Sequence, residues 1–269
     1  MKKQALVLSG GGARGAYQVG VVCGLAEIFK KHKIPPTFDF YSGVSAGAIN
    51  ASLLASHADD FSEGCSLLKD LWSGLTSDQI FYTDIVRLGK IGLKFMDMTA
   101  KGSEAGKALL ETEPLSKLIT SNLDFDRIAA NIKKGHLKAL LITANDYRSS
   151  TAITFVQGAK NLSSWNKARR MSLEAVIGTE HIMASSAIPL LFPSVEVDGV
   201  YYGDGCVRNS HPCAPSIYLG AERLFVVGVR SSRALGEFDP TPMQKPPSLA
   251  RVLNVLLNSV LLDGIELDV

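Results

Sequence analysis

Ser45 sits in the run Gly43-Val44-Ser45-Ala46-Gly47, a serine with glycines two residues before and two after it. That pattern suits a sharp turn from strand to helix: the glycines remove Cβ atoms that would clash and leave the hydroxyl proud of a sheet at a helix N-terminus. The chemistry open to such a serine is acyl transfer, which also needs fixed N–H donors aimed at the oxygen that becomes negative. A second cluster, Gly10-Gly11-Gly12-Ala13-Arg14-Gly15, lies upstream. Its three consecutive glycines can turn several N–H groups toward one point beside Ser45. Together the motifs imply a serine hydrolase whose oxyanion donors precede its nucleophile. Arg14 reads equally as a cation near the site and as a solvated residue of a first helical turn.

A base must come from elsewhere. His32 lies in a basic surface run, His57 and His136 fall at expected helix ends, and His181 lies inside an expected helix. His211 follows the Asp204 segment and stays a candidate. Asp204, in Gly203-Asp204-Gly205-Cys206 at the end of an expected strand over 200–202, is the better one. Asp198-Gly199 lies between two runs that can pair as a hairpin, whereas Asp204-Gly205 precedes a nonrepeating segment. The residues alone favour Asp204 and leave the choice open. The upstream glycines also satisfy a dinucleotide-binding GxGxxG through Gly10, Gly12 and Gly15. That reading needs an acidic residue at the end of the second strand, but Asp39 falls mid-strand and the strand runs straight into the serine turn.

Hydrophobic spacing predicts the elements that position these groups. A strand over 4–8 leads through the glycines into a helix over 16–31. A strand over 38–41 leads through the serine turn into a second helix from 45. Two such units in succession predict a parallel sheet with helices on its faces. Helices are expected over 115–131, 172–188 and 249–262, and strands over 137–144 and 153–156. A hairpin is expected over 195–202 and a buried strand over 223–229. The 76–110 stretch, apolar residues interleaved with Arg87, Lys90, Lys94 and Lys101, is a candidate helical cap; a packed helix and a basic face on a bilayer both fit it.

At 269 residues and 46% hydrophobic, the chain suits one large α/β domain. Its 28 Lys and Arg against 26 Asp and Glu leave a formal charge of +2, no global field for a nucleic-acid backbone. Cys23, Cys65, Cys206 and Cys213 lack CxxC pairs and His companions, so neither a disulfide framework nor a metal site is suggested. The apolar run before the first glycines is too short for a signal-peptide core, and no stretch reaches the roughly eighteen apolar residues of a spanning helix. A cytoplasmic protein is expected, with transient contact at a membrane surface. The chain stops at Val269 without a recognisable cap, which suggests a longer native protein.

GGGARG, GVSAG, ASSAIP and GDG, in this order, resemble the patatin-like phospholipases, relatives of cytosolic phospholipase A. The resemblance covers about residues 4–230. It implies a three-layer α/β sandwich, a central and mostly parallel sheet flanked by helices, with a cap segment. It further implies a Ser-Asp dyad in which Ser45 is the nucleophile and Asp204 the proton acceptor. The loop Gly10, Gly11, Gly12, Ala13, Arg14, Gly15 would form the oxyanion hole, and Gly43, Val44, Ala46 and Gly47 the elbow. No cofactor or metal is implied, and the substrates would be phospholipids or lysophospholipids. Cys206 departs from the Gly or Ala usual after Asp-Gly. A carboxylesterase or acyltransferase with the same dyad, and a non-catalytic lipid- or nucleotide-binding protein, are the alternatives. The dyad also poses a problem, since a carboxylate with a pKa near 4 is a poor base for a hydroxyl. Burial of Asp204, the helix beginning at Ser45 and the glycine N–H groups are the features that would offset it.

Overall fold

The computed structural model describes residues 2–82, 108–209, 212–229, 246–248, 251–252 and 255. β1 (Gln4–Leu8) leads through a short 3-10 turn at Gly12–Arg14 into α1 (Gly15–His32), and β2 (Phe40–Val44) leads through Ser45 into α2 (Ala46–Ser56). α3 (Phe61–Ser73), α4 (Glu113–Asn122) and α5 (Phe125–Lys134) follow. Then come β3 (Ala139–Asp146), β4 (Thr151–Gly158), β5 (Asn166–Lys167), β6 (Arg170–Glu174) and α6 (Thr179–Ser185). β7 (Val195–Val197), β8 (Val200–Asp204), α7 (Ala214–Tyr218) and β9 (Arg223–Val227) complete the described elements.

The strands run in the order β5-β6-β4-β3-β2-β1-β9, and the β7–β8 hairpin attaches to β3. β9, β1, β2 and β3 are mutually parallel, while β4 and β8 run antiparallel to β3. Both faces of this central part are covered, as a parallel sheet requires. Along β1, Leu6 and Leu8 enter the larger core with α1, α2 and α3, whereas Ala5 and Val7 face the smaller core with Trp165, Cys213 and Leu219. The result is the expected α/β architecture, a sheet sandwiched between two layers. All eleven residues of α2 are buried, so this helix runs through the interior rather than along the surface.

Register places the site. β2 pairs with β3 as far as Val44 opposite Thr143. β3 continues to Asp146, and from Ala144 onward its flank is taken by β8, with Asp204 opposite Ala144. Two strands thus meet end to end in one slot of the sheet.

Several expectations are corrected. The 115–131 helix is two helices, because Asp124 accepts from the Arg127 N–H at 2.9 Å and restarts the backbone as an N-cap. The 172–188 helix begins only at Thr179; Ser172 to Glu174 instead pair with β4, since a ladder across a sheet edge outweighs weak local helix preference. β9 is an edge strand with mostly exposed or half-buried side chains, not a buried one. α3 was not anticipated; Asp60 caps it by accepting from the Glu63 N–H at 3.0 Å. The 195–202 hairpin is present, turning through Asp198 (φ 50°) and Gly199 (φ 76°). Most of the 76–110 cap and of the 249–262 helix lies outside the described residues.

Candidate active site

Ser45 has φ 55° and ψ −127°, a left-handed conformation that L-residues rarely adopt and that the surrounding structure must impose. Close packing supplies the constraint. A Cβ on Gly43 would fall on the Gly47 carbonyl oxygen, and one on Gly47 would lie 2.5 Å from the Ser9 carbonyl oxygen. The helix start is thereby pressed against the end of β1. Ser45 C=O begins α2 by accepting from the Ala48 N–H at 2.8 Å. Its own N–H turns away and donates to Ser185 Oγ at 2.9 Å.

Asp204 is fully buried at the end of β8. Its N–H donates to the Ala187 carbonyl at 2.8 Å, and its Oδ1 accepts from the Cys206 N–H at 2.9 Å. Oδ2 has no hydrogen-bond partner among the described residues. Burial raises the pKa of the carboxyl to about 6; the Cys206 N–H, the Ser45 hydroxyl and the Cys206 thiol act against that rise. The Ser45 hydroxyl therefore lies within electrostatic reach of the carboxyl. Of the Asp-Gly motif, Gly205 leaves no room for a side chain: a Cβ there would meet the Thr143 carbonyl oxygen and lie 2.9 Å from Val44 Cγ1.

The upstream glycines close the third side. A Cβ on Gly10 would fall on Cys206 Sγ and lie 3.1 Å from Ser45 Cβ. One on Gly15 would lie 2.6 Å from the Trp72 ring and 3.0 Å from Ala46 Cβ. Gly12 adopts φ 55°. The N–H of Gly10 faces the Cys206 sulfur and restrains a thiol pKa that burial drives well up. The N–H groups of Gly11, Gly12 and Ala13 donate to no acceptor among the described residues. They are the unpaired dipoles of the turn that follows Gly10, whose position abuts Ser45. Arg14 is exposed on the outer side of this turn.

A buried polar chain ties the loop to α2. Gln18 Nε2 donates to the Ser9 carbonyl at 2.7 Å, Asn50 Nδ2 donates to Gln18 Oε1 at 3.0 Å, and Trp72 Nε1 donates to Asn50 Oδ1 at 2.7 Å. Gln18 and Asn50 are nearly inaccessible to solvent. Neither these residues nor the Ser185 hydroxyl were singled out from the sequence. Ser185 entered only as part of the ASSAIP motif, because a hydroxyl's partner 140 positions away leaves no local trace.

The histidines are engaged elsewhere. His57, at the far end of α2, bonds through Nδ1 with Ser56 Oγ at 2.9 Å. His181 accepts from the Gly178 N–H at 3.1 Å and packs edge-on against Phe155, and burial pushes its pKa down. His32 and His136 are exposed, and His211 lies outside the described residues. Cys23, Cys65 and Cys206 are free thiols. Among the described residues no group of three or more His, Cys, Asp or Glu is placed to hold a metal, and no helix is long and apolar enough to cross a membrane.

Comparison with curated proteins finds no match to the chain. A match to a family does exist, described as patatin-like phospholipase, and it extends over residues 6–217, from β1 into α7. That span takes in the glycine loop, the serine elbow, the Ser185 segment and the Asp-Gly turn, so the chain belongs to the patatin-like phospholipases, a family of lipid acyl hydrolases.

Proposed function

We propose that the protein hydrolyses carboxylic esters of phospholipids or lysophospholipids through a Ser45–Asp204 dyad. The observation that carries this reading is the pairing of a strained Ser45 with a fully buried carboxyl whose pKa is raised to about 6. A carboxylate of that basicity accepts a hydroxyl proton far more readily than one near 4. Ser45 Oγ attacks the ester carbonyl carbon while its proton passes to Asp204. The carbonyl oxygen, now negative, is met by N–H groups of the Gly11–Ala13 turn and by the positive end of α2. Collapse of this intermediate expels the alcohol, which takes the proton from Asp204 and leaves the acyl group on Ser45. Water then attacks the acyl-enzyme, Asp204 takes its proton, and the fatty acid leaves as that proton returns to Ser45.

Two exposed apolar side chains on the segments that carry the site suit an apolar substrate. Tyr17, in the first turn of α1, is 63% exposed, and Leu190, three residues beyond the Ala187 carbonyl that holds Asp204, is 61% exposed at φ 69°. A fluorophosphonate probe tests the nucleophile: labelling of the wild type and its loss in Ser45→Ala is expected, and an unlabelled wild type overturns the reading. Product profiling from mixed phospholipid vesicles tests the substrate. Released fatty acid plus lysophospholipid or a glycerophosphodiester is expected, whereas an acyl group found on another acceptor identifies a transferase.

A further inference from the structure

We infer that Ser185 is a positioning residue for the Ser45–Asp204 pair, an assignment that rests on the reading of Ser45 as nucleophile. Ser185 is fully buried. Its Oγ accepts the Ser45 N–H at 2.9 Å and donates to the Thr143 carbonyl at 2.6 Å. Two residues later the Ala187 carbonyl accepts the Asp204 N–H at 2.8 Å. The segment 185–187 therefore grips the backbone of both members of the pair, and its hydroxyl is anchored where β2 leaves β3.

The choice of serine follows from what the slot demands. A nucleophile at φ 55° directs its N–H away from α2, and a buried N–H without a partner is costly. The partner must accept from Ser45 and also donate to a carbonyl, in a space bounded by α6 and β3. A hydroxyl does both with one heavy atom. Alanine does neither, and a thiol does both weakly. The Thr143 oxygen is also the atom that a Cβ on Gly205 would strike, so the Asp-Gly turn rests on the acceptor that orients Ser185. Ser185 meets Ser45 at its peptide N–H, so it sets the direction of the nucleophile through the backbone.

The test uses the intact chain, a fluorophosphonate probe and a soluble ester. Ser185→Ala is expected to slow labelling and kcat by about 10- to 100-fold, with KM within about threefold. Ser185→Cys should fall between it and the wild type. Ser56→Ala serves as control: that hydroxyl is equally buried and donates to Leu53 C=O at the far end of α2, so its loss should lower Tm and leave labelling unchanged. If Ser185→Ala labels at the wild-type rate while Ser45→Ala does not label, the inference is overturned and the nucleophile stands. Should Ser185→Ala fail to fold, wild-type labelling by Ser185→Cys overturns the inference equally. A wild type that never labels overturns the nucleophile and this inference together.

Discussion

Asp204 occupies the place beside Ala144 that Ser45 would take if β2 ran one residue further in register. β2 stops opposite Thr143, and β8, arriving antiparallel, stops opposite Ala144. The two side chains come together because two strands abut in one slot of the sheet, the first turning away into α2 and the second into the Cys206 turn. The slot is dry, which explains the raised pKa of the carboxyl.

Activity should therefore have an acid limb. With Asp204 ionised only above a pKa of about 6, kcat/KM on a soluble ester is expected to fall below that pH and to level off above it. Asp204→Asn should lower kcat by roughly 10²- to 10⁴-fold at pH 8. A wild-type profile flat down to pH 4 would remove Asp204 from the role of base.

The same shift makes the carboxylate a burden on the fold. A folded-state pKa raised to about 6 means that the stability contribution is whole below about pH 4 and is lost as pH rises through 6. Above pH 7 the buried charge costs on the order of 2–3 kcal/mol. Asp204→Asn should accordingly be more stable than the wild type in urea titrations at pH 8, with the advantage fading toward pH 4. An Asn variant that is less stable at both pH values would contradict the burial argument.

Ser45 offers a second exchange of stability for function. Because φ 55° and ψ −127° suit glycine, Ser45→Gly should raise stability by about 1 kcal/mol, while Ser45→Ala keeps the strained backbone and gains nothing comparable. Both variants should be inert toward fluorophosphonate. Thermal melts of the three proteins side by side decide it.

Gly10 and Cys206 should behave as a coupled pair. A Cβ at position 10 collides with Cys206 Sγ, so Gly10→Ala is expected to abolish activity, and adding Cys206→Gly should restore at least tenfold by vacating that space. The remaining approach to Ser45 Cβ, 3.1 Å, is tight enough that full recovery is not expected. Purely additive losses in the double mutant would break the proposed contact.

Asn50→Leu should cost on the order of 2–4 kcal/mol, because it strands the buried Gln18 side-chain carbonyl oxygen and deprives the half-buried Trp72 indole N–H of its acceptor. The loop that Gln18 anchors at Ser9 should loosen with it. Denaturant midpoints and the labelling rate, measured below the melting range, should both fall.

What could be read in advance divides along physical lines. Gly43 and Gly47 betray the elbow because carbonyl groups pressed against their Cα atoms exclude any side chain, and that demand is visible as residue type. Asp204 stood out from Asp198 because the latter lies between runs that can pair as a hairpin, and those runs do pair. Ser185 stood only inside the ASSAIP motif with no partner to name, since its contacts come from the approach of Ser45 and Thr143 from distant parts of the chain. The same holds for β6, where pairing with β4 overrides helix-like spacing, and for β9, whose apolar composition does not reveal that it lies at the sheet edge.

The hairpin that carries Asp204 holds β3 through three residue pairs, whereas β4 holds it through eight. Asp204 is therefore mounted on the weaker joint. A partial opening of β7–β8 that also released the Asp204 N–H from Ala187 would withdraw the carboxyl and leave the elbow intact, an off state below the free energy of global denaturation. Amides of β8 exchanging with deuterium ahead of those in β1 and β2 would be the trace of that state.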